Sequence, residues 1–228
     1  GVKNVELTAA YAAIANGGTY TKPVFYTKIL DQNGDVVLEN KPKTTEVFRE
    51  STAYLLTSAL ESVVNDEGGT GNGLKLDNMP VAGKTGTTSA TRDVWFAGFT
   101  PYYTCAVWGG YDDNKECDYD TSFRFRLWKG IMSRIHENLE EKDFKVPSSV
   151  ERKSICTITG KLAGSGCPSI TEYFAKDTLP TETCSGHGYS YGSKSNSSTE
   201  DDSNSTANTS GDSNRENGSN STTGNTTG

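Results

Sequence analysis

The chain is 228 residues long, 33% hydrophobic, and carries a formal net charge of -7. That length holds one or two domains, and so low an apolar share means that part of the chain is not core. A negative chain without Lys and Arg clustered among aromatics has no patch to neutralise phosphates, which excludes a nucleic-acid partner; no apolar run approaches the ~18 residues of a membrane span, so no membrane contact is expected from this chain.

Residues 4–16, "NVELTAAYAAIAN", space Val5, Leu7, Tyr11 and Ile14 for a packed helix that Gly17-Gly18 stops. Two short alternating runs then flank Asn33-Gly34, a strong hairpin signal. From Glu50 to Asn65, Tyr54, Leu55, Ala59, Leu60, Val63 and Val64 form one helical stripe, ended by the glycine-rich run 66–73. The segments 81–87, 93–100 and 103–111 are β-rich, and the links between them are too short for parallel crossovers, so the spacing predicts an antiparallel sheet.

A helix over 123–140 follows, expected to cover the sheet with Trp128, Ile131 and Ile135. Past Pro147 the periodicity is lost. Residues 147–187 are expected to be an irregular, cysteine-bearing extension, and residues 188–228, built mostly of Ser, Thr, Asn and Gly, a disordered tail. The tail's NxS/T triplets arise by chance in such a tract, and a flexible spacer is the favoured reading. The first 146 residues form the remaining unit, giving an α+β fold class with an antiparallel sheet covered by helices.

The chemistry concentrates in "VAGKTGTT", Val81 to Thr88. A phosphate-binding loop would need glycine at position 78, where Asn78 stands, and a helix afterwards, where a strand is expected. The alternative is the Lys-Thr-Gly strand of serine acyl-transfer enzymes. On such a strand Lys84 supplies positive charge for a substrate carboxylate, Thr85 donates to it, Gly86 removes a Cβ where another group must come close, and the Thr87 backbone N–H can face an oxyanion.

The flanks "PVAGKTGTTSATRDVWFAGFTP", "AVWGGYDD", "ELTAAYAAIANGGTYTKPVF" and "TAYLLTSALESVV" resemble the C-terminal part of the transpeptidase domain of a class A penicillin-binding protein, and "GKLAGSGCPSITEYFAKDTLPTETC" is similar to the extension that follows it in some members. The resemblance implies part of the β-lactamase/transpeptidase-like fold. It also implies a serine-type D,D-transpeptidase that cross-links peptidoglycan stem peptides ending in D-Ala-D-Ala, is acylated by β-lactams, and works on the extracellular face of the bacterial membrane, in a parent that is bifunctional with a glycosyltransferase. Lys84 and Thr87 would be the catalytic residues of this segment, and Thr85, Gly86 and Thr87 the substrate-binding ones.

No Ser has Lys three residues later or Asn two residues later, so the SxxK and SxN motifs of that mechanism are absent. The chain is therefore expected to start after both, to be inactive alone, to partner the missing N-terminal half of its domain, and to expose an open sheet edge that makes it poorly soluble. A D,D-carboxypeptidase or β-lactamase of the same fold and a non-catalytic cell-wall scaffold are the other readings.

No cofactor is implied. His136-Glu137 starts like an HExxH zinc helix but Glu140 stands where the second His belongs. Cys156, Cys167, Cys184 and His187 raise zinc again, yet no CxxC pair is present, and the sequence predicts no metal. An extracellular location would instead favour a disulfide, Cys156 with Cys167 or Cys167 with Cys184, and the sequence does not choose.

Overall fold

The computed structural model describes residues 1–187; the expected tail, 188–228, with its NxS/T triplets, lies outside the described residues. Helix α1 (Asn4–Ala15) starts where Glu6 reaches back to accept from the Lys3 N–H at 3.2 Å, satisfying one of the donors a helix start leaves open. Strand β1 (Thr19–Thr21) follows, then the expected hairpin of β2 (Lys28–Leu30) and β3 (Val36–Glu39), in which the Asp31 carboxylate accepts from the N–H groups of Asn33 and Asp35. Strand β4 (Thr44–Glu46) returns to pair with β1, so the hairpin stands out on a two-stranded stalk with Val36, Val37 and Leu38 exposed.

Helix α2 (Glu50–Asn65) spans the predicted residues and buries Ala53, Tyr54, Thr57, Leu60 and Val64. Leu74, Leu76, Met79 and Val81 then sink into the core and anchor the chain that enters the central sheet. That sheet is β5 (Ala82–Thr87), β6 (Asp93–Phe99) and β7 (Thr104–Gly110), antiparallel in the order β5-β6-β7. Because side chains alternate across a strand, its two faces feed two apolar clusters. Phe96 and Val107 meet Val64, Trp128 and Met132, while Ala82 and Phe99 meet Leu60, Tyr11 and Ile14.

Helix α3 (Phe123–His136) covers the Phe96 face with Trp128, as expected, but not with Ile131 and Ile135. Arg124, Trp128, Met132 and His136 are buried, whereas Ile131 and Ile135 are 40% and 43% exposed. Four residues at intervals of four make one stripe, and its His136 end is satisfied. Thr100 Oγ1 accepts from the N–H groups of Tyr102 and Tyr103 at 3.1 and 3.2 Å, which leaves its proton for His136 Nε2 at 2.8 Å. His136 Nδ1–H in turn donates to the Met132 carbonyl at 2.6 Å. The helix ends at His136, four residues short of the expectation.

Beyond α3, Phe144 stacks edge-on to Phe99, with ring centroids 5.5 Å apart, and Asp143 comes toward Glu61 of α2. Burial first, and the Asp143 charge second, push the Glu61 carboxyl up from 4.5 to about 7. The folded chain thus holds this proton more tightly than the unfolded one, so Glu61 lowers stability as pH rises from about 4.5 to 7, with the full penalty above that window. Glu61→Gln is expected to stabilise the chain by about 1 kcal/mol at pH 8, a figure discounted for partial exposure, and to change little at pH 4. Chemical denaturation at both pH values checks it; a difference independent of pH would refute the assignment.

Residues 147–187 are not irregular. Strands β8 (Val150–Cys156) and β9 (Ser169–Ala175) pair antiparallel along their whole length, from Val150 opposite Ala175 to Cys156 opposite Ser169. The pattern hides in sequence because most outward positions are charged or polar. Tyr173 of β9 packs edge-on against Tyr54 of α2 at 5.1 Å, and Asp177 pairs with Arg49 at 2.7 Å.

Candidate functional site

The Lys-Thr-Gly sequence lies on β5, with Lys84 opposite Ala97, Thr85 opposite Phe96, Gly86 opposite Trp95 and Thr87 opposite Val94. The strand is straight-registered because Gly83 and Gly98 face each other and let Phe96 lie across them; a Cβ on Gly83 would come within 2.7 Å of the Phe96 ring and 2.9 Å of the Ala97 carbonyl. Burial falls along the strand. Ala82 and Gly83 are buried, Thr85 and Gly86 are half-buried, and Lys84 and Thr87 are exposed. Among the described residues β5 pairs on one side only, with β6, which leaves its outer row of backbone donors and acceptors open.

Lys84 Nζ donates to the Thr85 carbonyl and to Thr85 Oγ1, both at 3.2 Å. Thr85 Oγ1 also lies 2.9 Å from Thr70 Oγ1, in the glycine-rich loop after α2. Thr85 Oγ1 thus accepts from the ammonium while sharing a hydroxyl–hydroxyl bond with Thr70, in which either group can donate. One ammonium and two hydroxyls are thereby grouped on the open edge, a donor set that suits a carboxylate. Thr70 was not singled out from sequence. Its position depends on how α2 hands the chain to β5, although the small polar residue amid Gly68, Gly69 and Gly71 is a local signal of a close-packed loop.

The far end of β5 is clamped. Asp93 N–H donates to Thr88 Oγ1 at 2.8 Å, Thr88 Oγ1 donates to the Asp93 carboxylate at 3.1 Å, and Trp108 Nε1–H donates to the same carboxylate at 3.0 Å. Between them Ala90 and Thr91 sit at φ 56 and 50, a left-handed conformation that costs a β-branched residue most. The strain is held by Cys117, whose N–H donates to the Thr91 carbonyl at 3.1 Å. A cleft of about 450 Å³ bounded by Val2, Thr88, Asp93, Trp95 and Trp108 adjoins this end.

The other sequence candidates separate clearly. His136 is a core residue bonded to Thr100, not a metal ligand. Cys156, Cys167, Cys184 and His187 converge, with one donor atom from each lying within 4.8 Å of all the others. All five cysteines are free thiols, so neither expected disulfide is formed.

Residues 1–127 match the family described as penicillin binding protein transpeptidase domain, and residues 146–189 match the penicillin-binding protein 1A C-terminal domain. Penicillin-binding protein 1A of Clostridium tetani is 38% identical over 197 residues, covering 82% of this chain and 25% of that protein, and its Aquifex aeolicus counterpart is 36% identical over 187 residues, covering 81% and 26%. The chain thus spans about a quarter of the curated relatives it matches. Among solved structures, penicillin-binding protein 1A of Haemophilus influenzae superposes with a TM-score of 0.70 at 25% identity over 80% of this chain and 33% of that one. PonA1 of Mycobacterium tuberculosis does so at 0.56 and 26%, over 64% and 41%.

Proposed function

The chain belongs to the penicillin-binding protein transpeptidase family, whose members are serine D,D-transpeptidases, and on that premise we propose that β5 is the strand on which the parent enzyme holds its donor peptide. The observation that carries the reading is the open edge of β5 with Lys84, Thr85 and Thr70 grouped on it. An extended peptide ending in D-Ala-D-Ala, or a β-lactam, pairs its backbone with that edge as an added strand. Its carboxylate takes the Lys84 ammonium and the hydroxyls of Thr85 and Thr87, and the Thr87 N–H faces the carbonyl oxygen as it gains charge. Gly86 makes room for Trp95 opposite it on β6, whose Cβ a side chain here would approach to 3.1 Å.

The nucleophilic serine and its activating lysine come from elsewhere in the parent, because no Ser of this chain has Lys three residues on. The domain boundaries at 146 and 187, the peptidoglycan and β-lactam partners, and the location at the outer face of the membrane belong to the same proposal.

In the parent protein, Lys84→Ala is expected to slow acylation by a fluorescent penicillin about 100-fold, the scale seen when one preorganised donor is removed from an acyl-transfer site. Because Lys84 is exposed, the melting temperature should stay within a degree or two. The 228-residue chain alone should take no covalent label. Unchanged acylation in the variant, or a label on the isolated chain, would each overturn the reading.

A further inference from the structure

We propose that Cys156, Cys167, Cys184 and His187 bind one Zn²⁺ ion in a closed tetrahedral Cys3His site that holds the β8–β9 unit together. The dimensions fit. Zinc–sulfur bonds of about 2.3 Å and zinc–nitrogen bonds of about 2.1 Å give a tetrahedron with edges of roughly 3.5–3.8 Å. The four donor atoms lie within 4.8 Å of one another, and His187 Nε2 is 3.0 Å from Cys156 Sγ and 3.3 Å from Cys184 Sγ. Every donor is a thiol or an imidazole and none is a carboxylate, which selects zinc over calcium or magnesium.

Each cysteine is placed by backbone rather than by its own cluster contacts. Cys156, the last residue of β8, donates its N–H to the Lys161 carbonyl at 2.8 Å and accepts from Gly160 N–H at 2.8 Å, closing a tight turn. Cys167 donates to the Gly164 carbonyl at 3.2 Å, and Cys184 donates to the Leu162 carbonyl at 2.8 Å. Leu162 thereby joins two pieces, bridging antiparallel to Ile155 and parallel to Thr183. The Cys167 loop can come this close only because position 164 is glycine; a Cβ there would fall 2.1 Å from the Cys184 carbonyl. A set of ligands already positioned loses little freedom on taking up the ion.

A second observation is independent of these distances. From Val146 to His187 the buried side chains are Pro147, Val150, Cys156, Ala175 and Cys184, and most of β9 is exposed. Such a unit buries too little apolar surface to order itself, and small units of this kind are stabilised by a cross-link or a metal. A disulfide would use two of the three cysteines and leave the third, with His187, unexplained. One zinc uses all four.

The absence of a CxxC pair had argued against zinc, but Cys184-Ser185-Gly186-His187 is a short pair of the same span with imidazole as its second ligand. With four protein ligands the ion has no open position, so its role is structural. Ligand supply then becomes part of folding, as in other small metal-held units.

The test is the full 228-residue chain, purified without chelator and assayed for metal by plasma mass spectrometry. We expect one zinc per chain, with none in Cys184→Ser or in His187→Ala. Since these variants can misfold, Co²⁺ replaces zinc in the unaltered chain as a second measurement, and the visible and thiolate charge-transfer absorption of a tetrahedral sulfur site is expected. A strong chelator should lower the melting temperature by several degrees, with recovery on adding Zn²⁺ and not Mg²⁺. A chain that takes up no zinc and shows no cobalt–thiolate absorption would overturn the proposal. So would peptide mapping that finds Cys156–Cys167 or Cys167–Cys184 disulfides in the native protein.

Discussion

Trp128→Ala is expected to lower the unfolding free energy of the chain by about 3–5 kcal/mol, the range for emptying a fully buried tryptophan site. Trp128 has no exposed surface, stacks edge-on to Phe96 with centroids 5.0 Å apart, and donates its indole N–H to the Cys105 carbonyl at 3.0 Å. The truncation therefore removes the ring from the Phe96 cluster and also takes the indole donor from the Cys105 carbonyl, which stands opposite Gly98 in the β6–β7 ladder. Trp128→Phe separates the two effects. It keeps a ring against Phe96 while removing the indole bond to the Cys105 carbonyl, and about 1 kcal/mol of loss is expected. Urea titrations followed by circular dichroism measure both. A cost below 1 kcal/mol for the alanine variant would show that α3 does not hold the sheet in this way.

The second large effect lies on β5. Gly83→Ala places a methyl group 2.7 Å from the Phe96 ring, 2.9 Å from the Ala97 carbonyl and 3.0 Å from the Gly98 Cα. A ring can tilt, but the other two atoms belong to the strand ladder and cannot move without breaking pairing, so about 2–4 kcal/mol of destabilisation is expected. Adding Phe96→Leu should recover only the ring's share. Full recovery in the double variant would mean that the backbone approach does not matter. The substitution also shifts Lys84 and Thr85, which follow directly, and penicillin acylation of the parent should fall with stability. In this respect it differs from Lys84→Ala, which is expected to leave stability unchanged.

Much of the fold is legible where one element carries a repeated pattern. The three β-rich runs with short links determine their structure locally, and the order β5-β6-β7 agrees with that reading; α2 has the expected span, and of its expected stripe Tyr54, Leu60 and Val64 are buried while Ala59 is exposed. α3 is legible as a helix and only in Trp128 as a face. Trp128, Ile131 and Ile135 are its obvious apolar set, yet the buried stripe runs through Arg124 and His136, and His136 is tolerated inside only because Thr100, from a different element, meets its Nε2. No local count of hydrophobicity contains that partner. The same holds for β8 and β9, whose alternation is written in Arg152, Lys153, Glu151 and Glu172 rather than in large apolar residues, and for the pairing of β1 with β4.

At the site, Lys84 to Thr87 could be read from sequence because a single strand carries them in order. Thr70 could not, since its hydroxyl reaches Thr85 only after the glycine-rich loop has folded back. The cysteines fall between these cases. Cys184 and His187 are neighbours along the chain, whereas Cys156 joins His187 across 31 residues.

Helix α2 is shared property. Arg49, just before its first turn, and Tyr54 engage Asp177 and Tyr173 of the β8–β9 unit, while its last turns hold Leu60 and Val64 in the clusters on the two faces of the central sheet. Neither unit can melt without stripping one end of a helix that the other still needs. Heat or denaturant should therefore melt the β8–β9 hairpin and the central sheet together rather than one after the other, and damage to the small hairpin should be felt as a lower melting point at β5.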